Sequence, residues 1–326
     1  MREIRIDDIP GFRFGQAEDY DAGTGCTVIL CPEGATCGVD VRGGSPSTRD
    51  TDALDPRCNR EVVHGVLLTG GSAFGLDAAG GVMQKLEESG IGRDVFVTVV
   101  PNVCAAVLFD LKCGDMQRRP DPAMGYAACA RALEGQSFTS GCYGAGTGAT
   151  IGKIRGPRFA MKGGIGAVAY QEGELMVGAI IAVNCGGDVW ENGNILAGCR
   201  QDDGKSFADG EELLLSRYAV LRDLFSGKRA EENTVIGCIV TNAQLTKPQA
   251  GKLAAVGHNG LARAVRPTHT SFDGDTIFAM SYGDVRADPD AVGILAVRAA
   301  EAAIQKAIKE AESLHGYLSW RELQTL

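Results

Sequence analysis

The chain has 326 residues, with 32 Lys and Arg against 41 Asp and Glu, a net charge of −9 and a pI near 5.1. Its 44% hydrophobic content excludes wholesale disorder, and the lack of a basic block argues against binding to a nucleic-acid backbone. No apolar run reaches the ~18 residues of a membrane span. The length fits one large or two ordinary domains; with no convincing linker, residues 1–326 read as a single compact domain. Met1–Phe12 lacks a signal-like apolar stretch, so a cytoplasmic location is expected. Eleven cysteines without a C-x-x-C pair or a His at zinc spacing read as reduced, buried thiols. The 45 glycines are about twice the usual share of ~7% and mark sharp turns and close backbone approaches.

In chain order, short Val/Ile-rich runs predict buried strands over Thr27–Leu30, His64–Thr69, Val95–Val100, Met176–Asn184, Thr234–Thr241 and Asp275–Ser281. Ser72 is placed to cap a helix carrying Leu76, Val82, Met83 and Leu86 on one face, stopped by Gly90. Thr246, just ahead of Lys247-Pro248, is placed to cap a second. An Ala-rich helix is expected from Pro289 to about Leu314. Strands and helices do not alternate regularly, so a layered arrangement is favoured over a doubly wound sheet. Residues 191–232 are polar and weakly patterned.

Three stretches concentrate chemistry. Thr69–Gly75 joins a strand to a helix, where free amides favour an anion, although it matches neither G-x-G-x-x-G nor a P-loop. Gly144–Lys153 is glycine-dense and ends in a lysine, but Ile154 stands where a phosphate loop needs Ser or Thr. Pro267–Thr276 holds four hydroxyls, one His and two carboxylates directly ahead of an apolar strand. On residue types alone it fits a nucleophilic site, a metal site built on His269, Asp273 and Asp275, or a polar turn.

The strings Leu68–Asp77, Gly144–Thr150, Met161–Gly166, Val183–Asp188, Gly260–Ala264 and His269–Thr276 together resemble the DmpA family. These are self-processing aminopeptidases with an N-terminal nucleophile, and the nylon-oligomer hydrolases belong with them. The resemblance runs in family order from about Ile9 to Ser313. It implies an α+β fold, a four-layer α-β-β-α sandwich of the DmpA and ornithine acetyltransferase type. It also implies a hydrolase of small peptides, amino-acid amides or related oligomers, with no cofactor or metal, assembled as a homo-oligomer, a tetramer of processed protomers. Partners from nucleic acid or membrane are not expected.

Carried over residue by residue, the resemblance places self-cleavage between His269 and Thr270, giving chains 1–269 and 270–326 with Thr270 as nucleophile. A free α-amine titrates near ~7.7–8.0 and serves as base to its own hydroxyl. Asn184 is the expected oxyanion donor. Lys153 is the expected tuning cation, with Lys162 in reserve, and Asp288 with Asp290 the expected acidic pair. Phe109 stands where the family has a Tyr. An ornithine-type acetyltransferase using the same Thr chemistry and a non-catalytic binding protein are the rival readings.

Overall fold

The computed structural model describes residues 1–217 and 233–326. Two sheets meet face to face. One contains β1 (Arg13–Asp19), the first half of β2 (Thr24–Val41), β3 (Val63–Thr69) and β4 (Val103–Val107), in that order. The other runs β5 (Gly164–Glu172), β6 (Leu175–Asn184), β7 (Thr234–Ala243), β8 (Thr276–Val285) and then the second half of β2. Strand β2 changes sheets at a register shift between Leu30 and Ala35, so one long strand corners the sandwich.

Alternation along the strands fills the layers. In β7, Ile236, Cys238 and Val240 face the core between the sheets, beside Phe278 and Met280 of β8 and Ile180 and Ala182 of β6. Val235 and Ile239 face the other way, against α4 (Lys247–Ala264) and α5 (Pro289–Glu310). On the opposite side α1 (Ala78–Glu88) and α2 (Pro122–Leu133) cover β1 to β4 through Val82, Leu86, Ala128 and Ala132. The order is therefore helix, sheet, sheet, helix, the α+β sandwich expected from the resemblance.

Local reading succeeded where caps and periodicity agree. Thr246 and Gln249 form the capping box that starts α4, and Gly90, at φ 70°, follows the end of α1. Ser72 is no side-chain cap: Ser72–Asp77 is a 3-10 turn and the α-helix begins at Ala78. The Val95–Val100 run is not a buried strand. It forms the tip of a small hairpin with Phe96 and Val97 exposed, and the buried strand is Val103–Val107. Helix α2, capped by Asp121 with Pro122 in its first turn, leaves little periodicity in the sequence because Ala and Gly dilute its apolar stripe. Helix α5 ends at Glu310, four residues before the expected Leu314. Of the polar stretch, Gly210–Ser216 is a short helix, α3, and residues 218–232 lie outside the described part. All eleven cysteines are free thiols and all but Cys58 are buried.

Candidate active site

Strand β7 is buried at every position, and it starts abruptly after the charged sequence Lys228–Glu232. At that junction the Thr234 hydroxyl donates to the carbonyl oxygen of Asn233, the residue before it. The same carbonyl accepts the Gly274 N–H at 2.9 Å. A threonine hydroxyl and an amide donor thus converge on one peptide group, the pairing that acyl transfer to a hydroxyl requires. Gly274 permits the approach: a Cβ there would lie 2.9 Å from the Thr234 Oγ.

Asn184 and Lys153 flank this peptide. Asn184 ends β6 directly opposite Thr234 in the antiparallel register. Its Oδ1 accepts Lys153 Nζ at 3.0 Å and the Thr150 N–H at 3.0 Å, while its Nδ2 donates to the Phe109 carbonyl at 2.9 Å. Lys153 Nζ also reaches the Asn184 carbonyl at 2.9 Å. Both side chains are buried, so the ammonium charge is held by oxygens instead of water. Beside Lys153 lies a slot of about 10 Å³, room for one water, lined by Phe109, Asp110, Thr150 and Tyr317 among others. Gly186, two residues past Asn184, packs against the Asn233 side chain, where a Cβ would fall 2.6 Å from its Nδ2.

The segment 268–275 closes the other side, and Asp273 pairs with Asn233 in a parallel bridge. Burial, then the charge of Asp275, pushes the Asp273 carboxyl up to about 6. Its Oδ2 accepts the Thr270 N–H at 2.6 Å. Asp275 Oδ1 accepts the N–H of Val235, next to Thr234, at 2.7 Å. Its Oδ2 accepts the Thr268 hydroxyl, the His269 N–H and His269 Nδ1 at 2.9, 3.0 and 2.8 Å. His269 holds φ at +57°, a left-handed conformation unusual for a residue with a Cβ. Among the described residues no cluster of His, Cys, Asp and Glu is arranged to hold a metal ion.

The structure therefore brings together Lys153, Asn184 and the 268–275 segment, but it centres them on Thr234. The Thr270 hydroxyl accepts the Phe272 N–H at 3.4 Å and bonds the Asp273 carboxyl, both contacts within its own loop. Asp288 and Asp290 are not brought to either threonine. Asp288 caps α5 by accepting the Asp290 N–H at 2.9 Å, beyond the far end of β8, roughly 30 Å of strand away from the 268–275 segment. The carboxylates at the site are Asp273 and Asp275. Lys162 is fully buried on the carbonyls of Gly146, Ala149 and Gly163, fixing the glycine-dense stretch. The anion at the Thr69–Gly75 turn is the protein's own: Asp110 accepts the Gly71 N–H at 2.7 Å. The sequence signal for Thr234 is a hydroxyl at the abrupt step from charged segment to buried strand.

Comparison with known proteins agrees with this architecture. The model of peptidase family S58 matches residues 5–320. An uncharacterized aminopeptidase of Mycobacterium leprae is 39% identical over 298 residues, 86% of this chain and 79% of that protein. A 6-aminohexanoate-oligomer endohydrolase of Kocuria sp. is 31% identical over 285 residues, 87% of this chain and 76% of that protein. Among solved structures, a Burkholderia sp. beta-aminopeptidase superposes with a TM-score of 0.68 at 21% identity, covering 99% of this chain and 93% of the other. The L-aminopeptidase D-Ala-esterase/amidase of Ochrobactrum anthropi, described as a variant of the Ntn hydrolase fold, gives 0.69 at 18% identity, covering 98% and 92%.

Proposed function

The chain belongs to peptidase family S58, and from that premise we propose that it is an amide hydrolase that matures by cutting itself between Asn233 and Thr234. Thr234 Oγ attacks the Asn233 carbonyl carbon, the C–N bond breaks as the hydroxyl proton passes to the departing Thr234 nitrogen, and the acyl group is left on oxygen as an ester. The Gly274 N–H steadies the developing oxyanion. Water then opens the ester, leaving a carboxylate on Asn233 and a free α-amine and hydroxyl on Thr234. The observation that carries this reading is the contact of the Thr234 hydroxyl with the carbonyl of its own preceding residue, between Lys153–Asn184 on one side and Asp273–Asp275 on the other.

In the mature enzyme the Thr234 amine serves as base to its own hydroxyl, and Asp273 receives or returns a proton. Asn184, held by Lys153, offers the second N–H of its amide to the tetrahedral intermediate of the substrate. The substrates proposed are small peptides, amino-acid amides or related oligomers, by likeness to the aminopeptidase and oligomer-hydrolase relatives. Four processed copies in the cytoplasm complete the reading; the eleven free thiols fit a reducing compartment.

Cleavage at Thr234 leaves 326 − 233 = 93 residues in the small chain, roughly 10 kDa of the 34.2 kDa total. Denaturing mass spectrometry with N-terminal sequencing should give a chain beginning Thr-Val-Ile-Gly. A chain beginning Thr-Ser-Phe-Asp would restore Thr270, which the strained His269 before it favours. An uncut protein that turns over amides would overturn both.

A further inference from the structure

His269 has no part in the chemistry above, yet it is built into the site at a conformational cost. Its left-handed φ of +57° is unfavourable for a residue with a Cβ, and such outliers persist only where surrounding contacts enforce them. Here the conformation turns the imidazole back onto Asp275, so one residue supplies two donors, the backbone N–H at 3.0 Å and Nδ1 at 2.8 Å, to the same carboxylate oxygen. The other oxygen of that carboxylate binds the first amide beyond Thr234. The ring is mostly enclosed, and its Nε2 has no hydrogen-bond partner. Its neighbour is the buried His258 of α4, edge to face at 4.8 Å between ring centroids. Because Nδ1 faces a carboxylate oxygen, the proton of the neutral ring belongs on Nδ1.

We infer that His269 is a positioning residue: through Nδ1–H it fixes the Asp275 carboxylate beside Asp273 and so sets the pH at which the Asp273–Asp275 pair takes up its first proton. The inference deepens the self-processing reading and rests on it for its catalytic consequence. Among the described residues, few charged and titratable groups surround the pair. Lys153 approaches Asp273 from the β6 side and draws its carboxyl down, while Cys185 lies near both aspartates. His258 approaches His269 from α4, itself pushed down to about 4 chiefly by burial, with Asp40 of β2 and Arg42 just past the strand behind it. None of these donates to Asp275, so His269 is the ionisable side chain on that carboxylate among the described residues.

Two substitutions separate the donor from the backbone. His269→Gly accepts the left-handed conformation and loses the Nδ1 donor; His269→Asn tolerates it and keeps a side-chain N–H. Loss of a donor to a carboxylate favours its protonation, so the pair should bind its first proton at higher pH in the Gly variant. Carbon-13 NMR titration of labelled aspartate carboxyls, in a Thr234→Ala background that stays whole, should move up by about half to one pH unit. In mature enzyme the acidic limb of the kcat profile should move by the same amount, with KM little changed, and His269→Asn should restore it. An unshifted carboxyl titration in His269→Gly, or an Asn variant indistinguishable from Gly, overturns the inference. Failure of wild type to cut at Thr234 would overturn only the cleavage site, because the carboxyl titration is read without any cut.

Discussion

Asn184 and Thr234 stand directly opposite each other across β6 and β7, and Lys153 binds Asn184 by both its side-chain and its backbone oxygen. A buried cation is thereby tied to the strand end that faces the proposed nucleophile. The tie gives Lys153 a role that point charge alone would not: it orients the Asn184 amide and leaves its N–H groups for acceptors.

Thr234→Ala should fold, remain at full length and hydrolyse no amide. Thr270→Ala should still cut, at a reduced rate, because its hydroxyl serves the Asp273 carboxyl and the Phe272 amide of its own loop and not the 233–234 peptide. Mass spectrometry of the two purified variants decides between them: a cut Thr234→Ala protein would remove Thr234 from the mechanism.

Asn184→Ala and Lys153→Met should each lower kcat by about 10²–10³, the usual effect of losing one oxyanion donor or its support. The double variant should lose less than the product of the two single effects, because Lys153 holds the Asn184 amide that would carry the oxyanion. Multiplying losses in single-turnover assays would show that they act separately.

Gly274→Ala tests the crowding around the proposed cut. A methyl group there would lie 2.9 Å from the Thr234 Oγ and 2.9 Å from the Ser45 carbonyl oxygen, tighter than van der Waals contact. Self-cleavage of freshly refolded precursor should slow by about tenfold or more, equivalent to ~1.4 kcal/mol on the barrier. Cleavage at the wild-type rate would mean that the hydroxyl reacts from elsewhere.

Activity should rise with pH in two stages. The first is near 6, as Asp273 loses its proton; the second is at about 7.7–8.0, as the Thr234 amine does. A profile flat from pH 5 to 9, with chemistry limiting, would exclude both groups as bases.

Stability should run the other way. Burial, as the largest cause, raises Asp110 to about 6, Asp188 to about 7 and Asp273 to about 6. Each folded value lies above the ordinary carboxylate value of 3.8, so the folded chain binds protons before the unfolded chain does. Their combined contribution therefore increases as pH falls from about 7 towards 4. Calorimetry should find the unfolding temperature higher at pH 5.5 than at pH 7.5, and the reverse order would contradict these three burials.

Much of this architecture was legible in residue order because strand and cap signals are local. The runs in β3, β6, β7 and β8 and the Thr246 box are decided by neighbours a few residues away. The site was less legible because its members meet only through sheet register. Asn184 opposes Thr234 from fifty positions away, and Asp273 lies beside Asn233 because β7 and β8 run parallel across the α4 crossover. The dense Pro267–Thr276 loop drew the nucleophile to itself in sequence. In space it supplies carboxylates and the Gly274 amide to a threonine on the neighbouring strand. The Asp288–Asp290 pair had the right composition and lay at the wrong end of β8.

The sheet order has a consequence for the life of the molecule after cutting. Strand β7 lies between β6 and β8, and β8 lies between β7 and β2. The proposed break at 233–234 would therefore leave two pieces whose strands are interleaved, with the smaller wedged between β6 and β2 of the larger. Neither piece can build this sheet alone, so the native arrangement must form while the chain is whole. Once cut and then denatured, the protein would face a bimolecular search that the whole chain does not. Its recovery should fall on dilution, and its durability in the cell becomes a matter of how slowly it opens.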